Sequence, residues 1–391
     1  MLRVKWNGLR VAASVCVLAL CGTWLLRAQE GGGISLPTEV RVQRSSWWPT
    51  QGKAARGEYV GAEVCADCHE AKVQTQKQST MAHAASRAKD SEALRRHRRL
   101  DLKVGAYGYE LATREGQSTL KVSNGEAGLS AELEWALGSA HMGQTFLFRR
   151  EGKFYESHLS YYEKTQALDI TPGQKRTIPA SVEDAAGREL PGDEARKCFG
   201  CHTTGSTTSG AFSAEAATPG VSCEACHGPG ARHVASAIAR KESRGSGTIF
   251  TPAGLDRVDA VDFCGACHRT WQDVVSGHLI GVGVFNVRFA PYRLENSQCW
   301  AKGDARITCV ACHDPHKPLV HEAAAYDANC LACHPANARQ KRTANLLGKA
   351  CRVAEKDCVS CHMPKVEPPG LHSAFTDHWI RVLKPGAPYP D

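Results

Sequence analysis

Seven times in 391 residues the chain repeats one five-residue pattern: a cysteine, two variable residues, a second cysteine and a histidine. The copies are Cys65-Ala-Asp-Cys68-His69, Cys198-Phe-Gly-Cys201-His202, Cys223-Glu-Ala-Cys226-His227, Cys264-Gly-Ala-Cys267-His268, Cys309-Val-Ala-Cys312-His313, Cys330-Leu-Ala-Cys333-His334 and Cys358-Val-Ser-Cys361-His362. Chance at this composition supplies only about 0.04 copies. Residues spaced i, i+3 and i+4 share one face of a helical turn. Each copy therefore presents two thiols and an imidazole side by side.

That triplet suits one chemistry above others. Two thiols can add to the two vinyl groups of a haem while the imidazole meets the iron beneath the same ring, the attachment signature of c-type haem. Zinc ribbons also use paired cysteines, but they combine motifs two by two and need no histidine after every second cysteine. A secreted disulfide scaffold likewise leaves seven identically placed histidines unexplained. The expected cofactors are seven covalently attached c-type haems. Of the other four cysteines, Cys16 and Cys21 lie in the N-terminal segment. Cys299 and Cys351 form an even leftover pair, open to a disulfide that spacing alone does not decide.

Each iron has a second axial position, and its occupant separates an electron carrier from an enzyme. Ten histidines lie outside the motifs. His83, His141, His158, His233, His316, His372 and His378 are the candidate distal ligands. His97, inside Leu-Arg-Arg-His-Arg-Arg-Leu, reads as a surface residue, and His278 and His321 are reserves. His316 and His233 stand too close to His313 and His227 to serve the same haem, and so point to neighbouring ones. Met81, Met142 and Met363 are too few for general methionine ligation.

Residues 1–28 combine Arg3, Lys5 and Arg10 with an apolar run from 11 to 26 before Arg27-Ala28, the layout of a secretory signal. An uncleaved anchor is the alternative, although sixteen apolar residues fall short of the ~20 needed to span a bilayer. The expected organisation continues with a linker over 29–57, a first-haem segment over 58–102, a β-rich insertion over 103–190, a six-haem array over 191–382 and a tail over 383–391. Alternation at Tyr107, Tyr109 and Leu111 and the turn signal Glu151-Gly152 support antiparallel strands in the insertion. Elsewhere glycine and proline breaks predict short helices and loops around stacked haems. The expected fold class is thus mostly α and irregular, with an inserted antiparallel β module. The net charge of +8 includes four basic residues of the leader, and the haem propionates lower it further, so no nucleic-acid partner is expected.

The chain resembles the multihaem cytochrome c superfamily, and in particular relatives of the nitrifier tetrahaem cytochrome with its pentahaem and octahaem kin. Tyr59-Val60-Gly61 before Cys65, the Cys223–His233 block, Cys309–His316 and His372–Arg381 carry the resemblance. It implies haems arranged in stacked pairs. The pentahaem nitrite reductases put lysine for the motif histidine at their catalytic haem, whereas all seven motifs here end in histidine. Tyr161 and Tyr162 carry no mark of the cross-linked tyrosine of hydroxylamine oxidoreductases. The expected function is an exported, periplasmic or cell-surface heptahaem carrier, passing electrons along bis-histidine haems between periplasmic or membrane-bound donors and acceptors, with membrane association through the N-terminus as an option. The alternatives are a reductase or oxidase of a small nitrogen or sulfur compound at one open haem, and a relay subunit of a larger complex.

Overall fold

A computed structural model describes residues 34–239, 248–277, 279, 283–334, 348–384 and 389. The expected leader and His278 lie outside the described residues, as do parts of the linker and tail. Among the described residues no helix is long and apolar enough to cross a membrane.

The largest unit is a nine-stranded antiparallel sheet: β1 (Ala85–Arg87), β2 (Arg99–Val104), β3 (Tyr107–Arg114), β4 (Gln117–Ser123), β5 (Gly128–Leu137), β6 (Gly143–Arg150), β7 (Lys153–Tyr162), β8 (Ala167–Ile170) and β9 (Gly187–Glu189). The main path runs β2 to β8 in sequence order, and β2 comes back close to β8, so the sheet nearly closes into a barrel. Hairpin chemistry builds it. Glu115-Gly116 and Glu151-Gly152 both take positive φ at both positions, the two-residue turn whose twist suits antiparallel strands. The expectation of a mostly α chain is corrected here: among the described residues helix accounts for 35% and strand for 22%, and a large antiparallel near-barrel sheet is the main architecture.

A register shift between Leu133 and Trp135 makes this sheet two-sided. Side chains alternate along a strand, so one extra residue exchanges the faces. Before the shift, Ala131 and Leu133 enter the barrel core with Tyr109, Leu111, Leu120, Phe146, Phe148 and Tyr161. After it, Trp135 and Leu137 turn outward to a second core with Leu147, Phe154, Leu190 and Phe199. β4 leaves β5 at this point, and β1 pairs there instead, Ala85 opposite Leu137.

The remaining chain consists of short helices and turns. Helices Ala62–Gln76, Gly192–His202, Cys223–His227, Arg257–His268 and Cys358–His362 carry five of the motifs, and four of them end on the motif histidine. Motif five occupies the 3-10 turn Cys309–Ala311, and motif six begins within helix Asp327–Leu331.

Candidate haem-attachment sites

The second core fixes the first reference point. Phe199, within motif two, is fully buried and meets Trp135 edge-on at 4.9 Å between centroids and Phe154 at 5.5 Å. The outward face of the sheet is thereby the seat of the second motif.

Carboxylates set the others, and Glu224, Asp262 and Asp377 among them are buried. Glu224 is 2% exposed, and burying a carboxylate requires partners for its charge. It accepts from the backbone N–H groups of Val60 (2.8 Å), Gly61 (2.9 Å) and Gly230 (2.8 Å). Because Gly61 caps the helix of motif one, this carboxylate inside motif three ties the two together, with the Cys65 and Cys223 thiols side by side. Asp259 and Asp262 hold Arg41, and Asp262 also accepts from Ser35 Oγ at 2.8 Å, so the segment after residue 34 straps across the motif-four helix. Asp377 accepts from Arg293 Nε and Nη2, both at 2.9 Å, and both side chains are fully buried. This pair seats the segment carrying His378. Asp327, in the motif-six helix, accepts from the N–H groups of Asp357 (2.8 Å) and Cys358 (2.9 Å) at motif seven.

The thiols then trace an order in space. Cys201 lies beside Cys267, Cys264 beside Cys309, Cys330 beside Cys358, Cys226 beside Cys264 and Cys312 beside Cys330. Motifs one, three, four, five, six and seven follow one another as a chain, with motif two beside motif four. Burial pushes the Cys65 and Cys226 thiols up to about 12 and Cys198 up to about 11, which keeps them protonated. Cys299 and Cys351 are both free; Cys299 lies near Cys333, and Cys351 is exposed.

Three motif histidines face a second histidine. His69 and His233 stand 6.4 Å apart between ring centroids, His227 and His316 6.0 Å, and His313 and His378 6.2 Å. Their ring planes are inclined by 19°, 13° and 50° in turn. Two imidazoles sharing one metal at about 2 Å each, edge toward edge, place their centroids about 6 Å apart, so the donor set fits an axially ligated iron.

Hydrogen bonds fix the tautomers, a second feature of metal-ligating imidazoles. Nδ1 of His202 donates to Ala84 O (2.8 Å), of His227 to Phe250 O (3.0 Å), of His334 to Lys349 O (3.0 Å) and of His362 to Arg381 O (2.9 Å). Among the facing histidines, His378 Nδ1 donates to Thr376 O (3.0 Å), and His233 Nδ1 lies 3.2 Å from Thr248 Oγ1. A proton held on Nδ1 leaves the Nε2 lone pair for iron. Burial lowers the His202, His268, His313 and His378 pKa values, the last to about 4, and so favours the neutral ring that ligation needs.

The other candidates are placed differently. His83 directly precedes Ala84, whose carbonyl holds His202. His141 lies exposed in the loop between β5 and β6. His158 is buried on β7 with Nδ1 3.0 Å from Gln174 Oε1 and its ring beside Tyr109. His372 turns Nε2 to Asp169 Oδ2 at 2.7 Å and its ring against Tyr162. Tyr161 donates to Glu163 and Tyr162 to Ile170 O. Sequence reasoning overlooked Glu224, Asp377 and the four receiving carbonyls, because each acts on a residue far away in the chain.

A family model described as cytochrome c554 and c-prime matches residues 153–228, from β7 through motif three. No curated protein matches the chain. A solved structure, the outer cell wall cytochrome OcwA, is similar at 20% identity and a TM-score of 0.30, over 54% of this chain and 37% of that one. The family match spans two complete attachment motifs, Cys198–His202 and Cys223–His227, so over residues 153–228 the chain is similar to a c-type cytochrome.

Proposed function

We propose that the protein is an exported heptahaem electron carrier whose irons are held by two histidines each. One observation carries the reading: three motif histidines stand at iron-sharing distance from a histidine of another segment, His69 from His233, His227 from His316 and His313 from His378. Haem c, when attached, supplies a one-electron iron couple that thioether bonds retain in both redox states. The chain's own part is to hold the thiol pairs at fixed separations, fix imidazole tautomers through backbone carbonyls, and keep the His202, His268, His313 and His378 rings neutral by burial. The succession of motifs from Cys65 to Cys361 supports a continuous path rather than isolated centres. Export is supported by the leader over residues 1–28 and suits the compartment where the attachment chemistry occurs.

Intact mass of the purified protein and electron paramagnetic resonance of its oxidised form test this together. Seven covalent haems with only low-spin signals are expected. Fewer haems would overturn the motif count, and a high-spin signal perturbed by nitrite or hydroxylamine would favour the open-haem enzyme.

A further inference from the structure

Arg293, in the helix Ala290–Glu295, and Asp377 are both fully buried. Arg293 Nε and Nη2 each donate to one oxygen of the carboxylate, a two-pronged fit that a lysine could not make. Asp377 also accepts from Trp379 N–H at 3.0 Å and from Arg381 Nη1 at 2.6 Å. Ser297, likewise buried, accepts from Ile380 N–H at 2.9 Å. Residues 376–381 are therefore held at Asp377 and again at Ile380. Desolvation makes a buried ion pair no better for stability than well-packed apolar residues; its best-attested use is to select one arrangement. What this pair selects is visible on either side of it. The ring of His378, next to Asp377, lies 6.2 Å from that of His313 in motif five. Three residues further on, Arg381 O accepts from Nδ1 of His362 in motif seven at 2.9 Å, and Arg381 N–H donates back to His362 O at 3.2 Å. Asp377 N–H donates to Pro364 O at 2.9 Å, and Thr376 pairs with Lys365, both just past motif seven.

We propose that Arg293 is a positioning residue for two haem centres at once. Through Asp377 it fixes residues 376–381 so that His378 reaches the iron at motif five while Arg381 O orients the proximal imidazole at motif seven. One short segment thereby couples the two centres: displacing it disturbs both, and leaves the centres at motifs one to four as they are. The inference rests on the axial pairing of His313 with His378 given above, and the His378→Ala variant tests that pairing separately.

The test is electron paramagnetic resonance and spectroelectrochemical titration of the holoprotein for wild type, Arg293→Gln, Ser297→Ala and His378→Ala. Arg293→Gln leaves the Asp377 carboxylate buried without its main counter-charge, so it turns toward water and draws its neighbours with it. One haem is expected to become high-spin. A second, still low-spin, should rise in midpoint potential as His362 loses the acceptor that keeps its ring basic. Added imidazole should return the first haem to low spin without moving the second. Ser297→Ala keeps the ion pair and removes only the anchor at Ile380; it should give both changes at smaller amplitude, and it takes the place of Arg293→Gln if that variant fails to fold. His378→Ala should open one haem and leave the second potential unchanged. A His378→Ala protein that stays wholly low-spin would refute the axial pairing, and the second potential alone would then judge Arg293. Wild-type potentials throughout in the folded variant, with or without a high-spin signal, would overturn the shared positioning.

Discussion

The sheet of residues 85–189 and the motif-bearing segment after residue 297 differ in what they bury. The sheet encloses Leu94, Leu111, Leu120, Phe146, Phe148 and Tyr161 with at most 1% exposure each, around a continuous ladder of backbone bonds. Beyond 297, helices and turns Gln298–Ala301, Cys309–Ala311, Ala323–Tyr326, Asp327–Leu331 and Cys358–His362 contain no buried residue. The first region is stabilised by apolar side chains of its own. The second gathers around the Asp327 and Asp377 carboxylates and its motif cysteines. With so little apolar burial of its own, this region is expected to need the proposed haems for stability, as small metal domains need their metals.

The sharpest way to break this comparison is to make the chain without haem attachment and digest it lightly. Residues 298–362 should be cut first while residues 85–189 persist as one fragment, read by mass spectrometry of the digest; equal resistance of both regions would refute the contrast. A smaller effect is expected from Phe146→Ala. It should cost about 3–5 kcal/mol in the stability of the sheet, seen in denaturant unfolding, and leave haem content and the low-spin signals unchanged.

The smallest effect is a pH dependence beside motif four. Glu295 is raised to about 8, first by burial and then by Asp262, against the pull of Arg257 and Arg41, and its Oε1 is buried without a partner. An unfolded glutamate titrates near ~4.3, so the folded state binds the extra proton. Stability therefore falls as pH rises from about 4 through 8. Glu295→Gln should flatten this slope and gain on the order of 2 kcal/mol at pH 9. Urea unfolding at pH 5 and pH 9 checks it; identical slopes in the two proteins would count against a buried, protonated Glu295.

The sequence spelled out what is local. The attachment motifs are contiguous, and the hairpin at Glu151-Gly152 is visible because its turn residues and flanking alternation lie within a few positions. The near-barrel was not legible. β1, fourteen residues before β2, joins the sheet by pairing with β5, and the bulge at Leu133 and Trp135 that opens the second core leaves no mark in composition. Treating the strands as an insertion into a helical array therefore understated them. The facing histidines were hidden for the same reason: His69 and His233 are 164 residues apart, and what brings them near is the Glu224 carboxylate and its backbone donors.

The Glu224 tie between motif one and motif three also has a consequence in time. Cys65 and Cys223 are separated by 158 residues of chain. At a synthesis rate of roughly 5–20 residues per second, Cys65 emerges about 8–30 s before its neighbour. The whole sheet is encoded within that interval. The first attachment turn thus waits beside a growing β unit, and it gains its permanent neighbour only after residues 85–189 have had time to close.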